Sequence, residues 1–356
     1  MSQKHIELTI SRECEHVLRG MAIILIALHN FCHLVPGVTQ ENEFYFYPDN
    51  LVSIMAPKET ALQWTFDILS FFGWYGVPVF MFLTGYGLVM KYERGGAPLI
   101  TGRFLKHNYL KLLFLMLPGI AAFILISLCT AIPQGHIGAA TIANFICQLS
   151  MLPDVVYPWW EPYPGVYWYF GLTMEFYLVY ALLIYRRHEW WVWTCVALSL
   201  VLQLVFYPDM ETFLWIRHNV TGWATVFVMG VIYGRAGNIR RSVAIAIAVI
   251  SAILILPSML NWLTWQFSIL GCVIIAVLGA KWSMTVPGWR NFWIWVGRLS
   301  PMLFVAHPVA RSIILKAFDL QHPSWLPLLL YIGLSFVLAL AFRLITNAAC
   351  RRRLKP

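Results

Sequence analysis

Long apolar runs recur along the whole chain, and they restrict its fold more than any other feature. Each is close to the roughly 20 residues that an α-helix needs to cross the hydrocarbon core of a bilayer. A membrane offers the backbone no water, so such runs are stable as helices that satisfy their own hydrogen bonds. Of the 356 residues, 60% are hydrophobic and 12% are charged, about half the charged fraction of a typical soluble protein. The sequence therefore predicts an all-α, polytopic integral membrane protein.

The apolar runs indicate about ten transmembrane helices in a single membrane domain. The predicted spans lie at about 18–36, 66–90, 108–130, 166–185, 190–207, 219–235, 242–257, 262–280, 292–316 and 323–346. An N-terminal segment, residues 1–17, precedes the bundle of residues 18–346, and a basic tail, residues 347–356, follows it. The N-terminal segment is too polar and too acidic for a cleavable signal peptide.

Positively charged residues are distributed unevenly between the two sides of the membrane. If the N-terminus lies inside, the outer loops hold only Lys58 and Arg217, whereas the inner connections and the tail hold most of the other Lys and Arg residues. The positive-inside rule then places both termini in the cytoplasm. The net charge of +9 is attributed to this topology and not to nucleic-acid binding, because no basic and aromatic module is present.

The cysteines give no sign of a metal site or a disulfide framework. There are seven, an odd number, and most fall within or beside apolar segments. No C-x-x-C pair and no Cys/His spacing typical of zinc is present, so we expect cysteines that pack and no bound metal.

Two histidines stand in the first apolar run, RGMAIILIALHNFCH, at positions 29 and 33. Residues four apart in a helix differ by about 40° in direction, so His29 and His33 would share one face, one turn apart. Ionisable groups within a membrane span usually face a protein interior or a wet cavity, and they mark candidate functional sites. The alternative is structural: His29 would hydrogen-bond a neighbouring helix and His33 would lie at the lipid surface.

Glu175 is the carboxylate that the pattern places well inside an apolar span. A bare charge is costly there, so this side chain is expected to be protonated, paired or in contact with an aqueous cavity. We interpret Glu175 as a functional residue.

Basic residues precede the third predicted span, in RFLKHNYLKLLFLMLPG. Arg103, Lys106 and Lys111 would lie along a helix that enters the membrane. They are typical of anchors for lipid phosphate, but guanidinium and ammonium groups also suit the phosphates of a donor such as acyl coenzyme A. No Walker-type or dinucleotide-binding glycine motif is present, so ATP and dinucleotide chemistry find no support.

Aromatic residues cluster before and at the start of the fourth predicted span. Trp159, Trp160, Tyr167 and Trp168 lie close together in sequence. They are typical of an interfacial belt, or they form a platform on which the apolar face of a sugar ring stacks. Both interpretations stay open.

Four segments, in this order, resemble the acyltransferase-3 family of bacterial integral-membrane acyltransferases. LRGMAIILIALHNF resembles the opening motif, an Arg-Gly followed by an apolar run and a His. GWYGVPVFMFLTGYGL, residues 73–88, is similar to the second-helix pattern. RFLKHNYLKLLFLMLPG resembles the basic entry to the third helix, and GRLSPMLFVAHPV resembles the late helix that contains a His.

The chain departs from the family pattern at two positions. Lys106 stands where many members carry a second Arg, and nine residues separate Arg19 from His29 where the family usually has ten. On an ideal helix the shorter spacing leaves these two residues about 80° apart, where the usual one leaves about 20°. Either the helix start is irregular, or Arg19 acts from the rim. The departure also lets His33 compete with His29 for the catalytic role.

The resemblance implies an acyl-CoA-dependent O-acyltransferase in the bacterial cytoplasmic (inner) membrane, with an acetyl group as the expected cargo. His29 would be the general base, Glu175 would fix its tautomer, and Arg19 would hold donor phosphates together with the basic residues of the third helix. The aromatic cluster would present a glycan or lipid-linked sugar. Acyl-CoA would be a substrate, so no permanently bound cofactor is implied. The rival interpretation is a transporter or flippase for a lipid-linked sugar or small anion.

Overall fold

The computed structural model describes residues 5–131, 139–156 and 165–353. This part of the chain is almost entirely helical. The helices are α1 (Arg12–Cys32), α2 (Pro48–Met55), α3 (Ala61–Gly73), α4 (Gly76–Leu88), α5 (Thr101–Ala131), α6 (Ala139–Ser150), α7 (Trp168–Val179), α8 (Glu189–Phe206), α9 (Met210–His218), α10 (Val220–Ala236), α11 (Arg241–Ser258), α12 (Trp262–Ser283), α13 (Pro287–Ala317) and α14 (Trp325–Arg353). Wider π-helical turns continue α4 over Val89–Arg94 and α7 over Tyr180–Ile184, and a 3₁₀ turn, Gly165–Tyr167, leads into α7.

Two short strands are the non-helical elements of the described residues. β1 (His5–Glu7) pairs antiparallel with β2 (Asn238–Arg240), with His5 opposite Arg240. The pairing ties the segment before α1 to the connection between α10 and α11.

Eight helical segments of the described residues are long and apolar enough to cross a membrane. They are Arg12–Cys32, Ala61–Arg94, Thr101–Ile126, Gly165–Ile184, Glu189–Phe206, Arg241–Ser258, Trp262–Ser283 and Trp325–Asn347. Several have largely exposed apolar surfaces, most clearly Arg241–Ser258, of which 6% is buried. Such surfaces are expected where lipid, and not water, covers the helix. These segments confirm an all-α, multi-pass membrane protein.

The other two predicted spans are also helical, but they are weaker candidates. α10 has only 17 residues, and α13 has 31 residues interrupted by Arg298, two prolines and His307. Polar groups in α13 lower its hydropathy below that of an ordinary span. The count of ten spans and the cytoplasmic position of both termini stay predictions.

The chain divides into two compact units, each built from separate stretches of sequence. The first comprises Met1–Gly96, Val226–Ser300 and Asp319–Leu328; the second comprises Ala97–Thr225, Pro301–Phe318 and Leu329–Pro356. Each is described separately below.

Glycines allow close helix packing in the first unit. A Cβ added at Gly73 of α3 would lie 2.6 Å from the Cβ of His29, and one at Gly76 of α4 would meet the backbone oxygen of Ala22. Small residues let helix backbones approach closely where no hydrophobic effect drives association, as inside a bilayer. The glycines thereby bring α3 and α4 against the face of α1 that carries His29.

Aromatic packing dominates the second unit. Tyr167 is fully buried and donates its hydroxyl hydrogen to the backbone oxygen of Val305 at 2.8 Å. Its ring packs edge-on against Phe170 and Phe123, with centroids 5.3 and 6.4 Å away. A buried Tyr with its hydroxyl satisfied is a strong packing element.

Candidate functional site

Helix α1 carries His29, His33 and Arg19, and it is regular from Arg12 to Cys32. The hydroxyl of Ser11 caps its start by accepting a hydrogen bond from the N–H of Cys14 at 3.2 Å. Because the helix is continuous, Arg19 lies about 15 Å along the axis from His29 and about 80° around it. The irregular helix start that would align the two residues is therefore not observed.

His29 is held in one tautomer by a carbonyl group of α3. The side chain is 4% exposed, and its Nδ1 lies 2.6 Å from the backbone oxygen of Ser70. A carbonyl oxygen only accepts, so Nδ1 carries the proton and the neutral ring keeps its lone pair on Nε2. Nε2 is therefore the proton-accepting atom of this ring.

Ser70 lies in the last turn of α3. Ser70 to Gly73 are the last four residues of α3, whose carbonyl groups have no partner within their own helix. The imidazole satisfies one of these groups. The hydrogen bond thereby joins α1 to the last turn of α3.

His33 repeats the arrangement one turn later. Its Nδ1 lies 2.9 Å from the backbone oxygen of His29, and the two rings are stacked with centroids 4.7 Å apart. His33 therefore also keeps its lone pair on Nε2 in the neutral form. It differs in position, since it follows the end of α1 and is only partly buried.

Arg19 is engaged within its own helix. Its Nη2 lies 2.7 Å from Oε1 of Glu15, one turn earlier, and its guanidinium lies 5.9 Å from the ring centre of Phe80. The pair is about 30% exposed at both side chains. Arg19 lies two turns into α1, and its role at the donor phosphates stays a prediction.

Glu175 caps a neighbouring helix within the second unit. Its Oε2 accepts a hydrogen bond from the N–H of Val220, the first residue of α10, at 2.7 Å. A carboxylate at a helix N-terminus interacts favourably with the helix dipole. This contact gives Glu175 a structural role, and its predicted role beside His29 is not tested by it.

A second carboxyl, Asp154, lies close enough to Glu175 to interact with it. Asp154 is fully buried beside Gly171, and neither of its oxygens has a well-formed hydrogen bond among the described residues. Burial, together with the Glu175 carboxyl, raises the pKa of Asp154 well above its usual range, despite the nearby N–H of Leu172. Asp154 is therefore expected to be protonated at neutral pH.

The predicted donor-binding residues lie on the first three turns of α5. Arg103, Lys106 and Lys111 are all exposed there. They are positioned to interact with phosphate groups at the membrane surface, whether of a lipid or of a soluble donor.

The predicted acceptor-binding rings fall into two groups. Tyr167 and Trp168 lie in the core of the second unit, where Trp168 is 5% exposed and stacks on Trp223 with centroids 6.3 Å apart. Their burial favours packing, and a sugar-stacking role stays a prediction. Trp159 and Trp160 lie outside the described residues.

Two functional candidates were missed by reasoning from the sequence. Ser70 contacts His29 through its backbone carbonyl, and no sequence pattern could reveal such a contact. Asp67 is different: it lies in α3, inside the candidate span Ala61–Arg94, and is fully buried. Glu175 is therefore not the only carboxylate well inside an apolar span, and the rule that singled it out also applies to Asp67.

No group of three or more His, Cys, Asp or Glu side chains suited to a metal ion occurs among the described residues.

A comparison with family models assigns the chain. The acyltransferase-3 model, described as an acyltransferase domain, matches residues 16–344, nearly the whole chain. The comparisons with curated proteins and with solved structures found no match to the chain. The matched region begins within α1, includes His29 and ends within α14. Together with the eight candidate spans, the match shows that this chain belongs to the acyltransferase-3 family and is a multi-pass membrane acyltransferase.

Proposed function

We propose that this acyltransferase moves an acyl group, most simply acetyl, from cytoplasmic acyl-CoA to a hydroxyl of a sugar, glycan or lipid-linked sugar, in a bacterial inner membrane. The observation that supports it best is the hydrogen bond between Nδ1 of His29 and the Ser70 carbonyl, at 2.6 Å. That bond leaves Nε2 as the basic atom of a buried imidazole. A neutral imidazole with a defined tautomer is well suited to take a proton near neutral pH.

In the proposed reaction, Nε2 of His29 accepts the proton of the acceptor hydroxyl while its oxygen attacks the thioester carbonyl. The new C–O bond forms and the C–S bond breaks, so the thiolate of coenzyme A leaves. The imidazolium then returns the proton to that thiolate, which yields an ester and free CoA with no net change in protons. The Ser70 carbonyl, which accepts a hydrogen bond from Nδ1–H, stabilises the imidazolium in between. Transfer is direct, and no acyl-enzyme is needed.

The tautomer of His29 does not depend on a carboxylate in this scheme. In a Ser-His-Asp triad, a carboxylate accepts a hydrogen bond from Nδ1–H and orients the ring. Here the Ser70 carbonyl accepts the hydrogen bond from Nδ1–H instead, and Nδ1 keeps its proton. Glu175 then enters the proposal as a supporting residue whose observed partner is the N–H of Val220.

Donor binding is assigned to basic groups and acceptor binding to aromatic ones. Arg103, Lys106 and Lys111 would bind the phosphates of coenzyme A, with Arg19 as an additional cation. Trp159 and Trp160 are the proposed platform for a sugar ring. Tyr167 and Trp168, which are buried, are the other two rings assigned to acceptor binding.

Purified protein in lipid nanodiscs tests the proposal directly. It would be incubated with acetyl-CoA labelled in the acetyl group, with and without methyl glycosides as soluble acceptors. We expect slow CoA release to water and faster release with a suitable glycoside, accompanied by a labelled ester. A double Arg103→Ala, Lys106→Ala variant should raise the KM for acetyl-CoA about 10-fold or more, since each charged hydrogen bond contributes about 1.5–3 kcal/mol.

The transporter interpretation predicts a different result. Reconstituted vesicles would then move a labelled sugar lipid or anion across the bilayer without releasing CoA. Transport without CoA release would contradict the proposed chemistry. An unchanged KM for acetyl-CoA in the double variant would contradict the proposed donor site.

A further inference from the structure

We propose that Asp67 is a positioning residue for His29, and that with Lys58 and Thr39 it holds the segment after α1 against α3. This inference rests on the proposed role of His29 as the base. All of these residues belong to the first unit.

The carboxylate of Asp67 is fully buried, and each of its two oxygens lies close to a polar or charged partner. Its Oδ1 accepts two hydrogen bonds from Thr39, one from the backbone N–H and one from the hydroxyl, both at 2.7 Å. Its Oδ2 lies 3.1 Å from Nζ of Lys58, whose side chain is 11% exposed.

 The Nζ–Oδ2 separation of 3.1 Å is that of a close ion pair. A buried charge is costly unless it is paired and hydrogen-bonded, and Asp67 meets both conditions.

Thr39 is bound to α3 through both of its backbone groups. Asp67 accepts from its N–H, and the hydroxyl of Ser70 donates to its carbonyl oxygen. Asp67 and Ser70 are three residues apart and therefore lie on the same face of α3. One face of α3 thus hydrogen-bonds both the N–H and the carbonyl group of Thr39.

The same face of α3 holds His29. The backbone oxygen of Ser70 accepts from Nδ1 of His29, while the hydroxyl of Ser70 donates to Thr39. α1 is thereby joined to α3 at His29, and the chain beyond its end is joined to α3 again at Thr39. If Asp67 released Thr39, the end of α1 would lose its second attachment. The Nδ1 proton of His29 would then no longer be directed at one carbonyl.

Three variants test this role: Asp67→Asn, Lys58→Met and the double variant. In the first, an amide N–H faces the ammonium of Lys58; in the second, a buried carboxylate loses its cation. Each should lower kcat for CoA release from acetyl-CoA about 10- to 100-fold, with KM for acetyl-CoA changed less than about two-fold. In the double variant the charged pair is replaced by the neutral side chains of Asn and Met, and the Asn oxygen still accepts hydrogen bonds from Thr39. It should recover at least about 10-fold over either single variant, because the effects of paired charges are not additive.

The rates are expressed per folded protein, measured by size-exclusion chromatography, so that lost folding is not counted as lost catalysis. If Asp67→Asn does not fold, Thr39→Val supplies the same test, since it keeps the size and removes one donor. It should lower kcat about 3- to 10-fold, the effect expected for the loss of one ordinary hydrogen bond. Asp49→Asn is the matched control, because Asp49 is an exposed carboxylate on α2. Its kcat should be unchanged.

Two outcomes would overturn the inference in distinguishable ways. If His29→Ala is inactive but the Asp67 and Lys58 variants keep the wild-type kcat, the positioning role is wrong and the base assignment stands. If His29→Ala retains full activity, the base assignment fails and the positioning role fails with it. Losses that simply add in the double variant would also contradict a charge pair.

Discussion

The two histidines of α1 make the same kind of hydrogen bond in different surroundings. Each directs Nδ1 at a backbone carbonyl, that of Ser70 for His29 and that of His29 for His33. His29 is buried against α3, whereas His33 is partly exposed after the end of the helix. His29 and His33 therefore share a tautomer but differ in their exposure.

Alanine substitution of each histidine distinguishes their roles. We expect His29→Ala to lower CoA release at least about 100-fold, since general base catalysis contributes 10²- to 10⁴-fold. His33→Ala should lower it less than about 10-fold. Rates per folded protein, measured with acetyl-CoA in nanodiscs, check both. A dead His33→Ala beside an active His29→Ala would reverse the assignment of the base.

Glu41 is a buried carboxyl in the segment between α1 and α2. It is 4% exposed, and its Oε2 accepts from the side-chain amide of Asn50 at 2.6 Å. Burial raises the pKa of Glu41 to about 8, although the Asn50 hydrogen bond opposes the shift. The folded protein therefore favours the protonated carboxyl at neutral pH.

The raised pKa makes stability depend on pH in a definite direction. A carboxyl whose pKa is raised in the folded state contributes most below its unfolded value of 4.5, and that contribution is lost as pH rises through about 8. Wild-type protein should therefore lose stability between pH 5 and pH 9, and Glu41→Gln should lose less. Thermal unfolding in detergent at several pH values measures this. Equal losses in both proteins would show that Glu41 does not titrate in this range.

At the scale of the elements, glycines determine how closely the helices of the first unit pack. Gly73 and Gly76 face α1, while Gly85 of α4 faces the backbone of Phe227 in α10. A Cβ at each of these positions would meet a backbone atom or a packed side chain, and backbone atoms do not move aside cheaply. The approach of α3 to α1 that places the Ser70 carbonyl beside His29 depends on this packing.

Two glycines of α4 provide a matched comparison. Gly76→Ala would direct its methyl group at the backbone oxygen of Ala22, whereas the Cβ of Gly87→Ala has nothing within 4 Å. Both substitutions raise helix propensity equally, by about 1 kcal/mol. We expect Gly76→Ala to destabilise the protein by about 1–3 kcal/mol through overpacking and Gly87→Ala to be neutral or stabilising. Thermal or denaturant unfolding in detergent checks the difference, and similar midpoints for the two variants would contradict it.

At the scale of the whole molecule, the distribution of charged residues predicts the orientation in the membrane. The predicted topology makes α10 a span, so its two flanks lie on opposite sides of the bilayer. Glu211, before α10, and Asn238, after it, are both exposed.

Cysteine labelling tests that topology. In a background without the native cysteines, Glu211→Cys should react with a membrane-impermeant maleimide added outside cells, and Asn238→Cys should react only after lysis. Labelling of both from one side would show that α10 does not cross, as its length of 17 residues allows. Arg353→Cys should behave like Asn238→Cys if the C-terminus is cytoplasmic.

The sequence by itself determined the membrane class, the family and the histidine on which the proposed chemistry depends. Hydropathy is a local property of a run of residues, so eight candidate spans and their approximate positions could be predicted without a fold. The motif around His29 is likewise contiguous. The same reasoning did not identify Asp67 as a candidate functional residue, although the sequence places it within an apolar run.

Only the tertiary structure decided what each of these side chains contacts. Ser70 is 41 residues from His29, and Asp67 is 28 residues from Thr39, so their hydrogen bonds exist only because α3 packs on α1. The tertiary structure also buries Tyr167 in the core of the second unit. It places Glu175 at the N-terminus of α10, where it accepts a hydrogen bond from Val220. Contacts of this kind depend on how helices pack in three dimensions, and periodicity along one helix does not specify them.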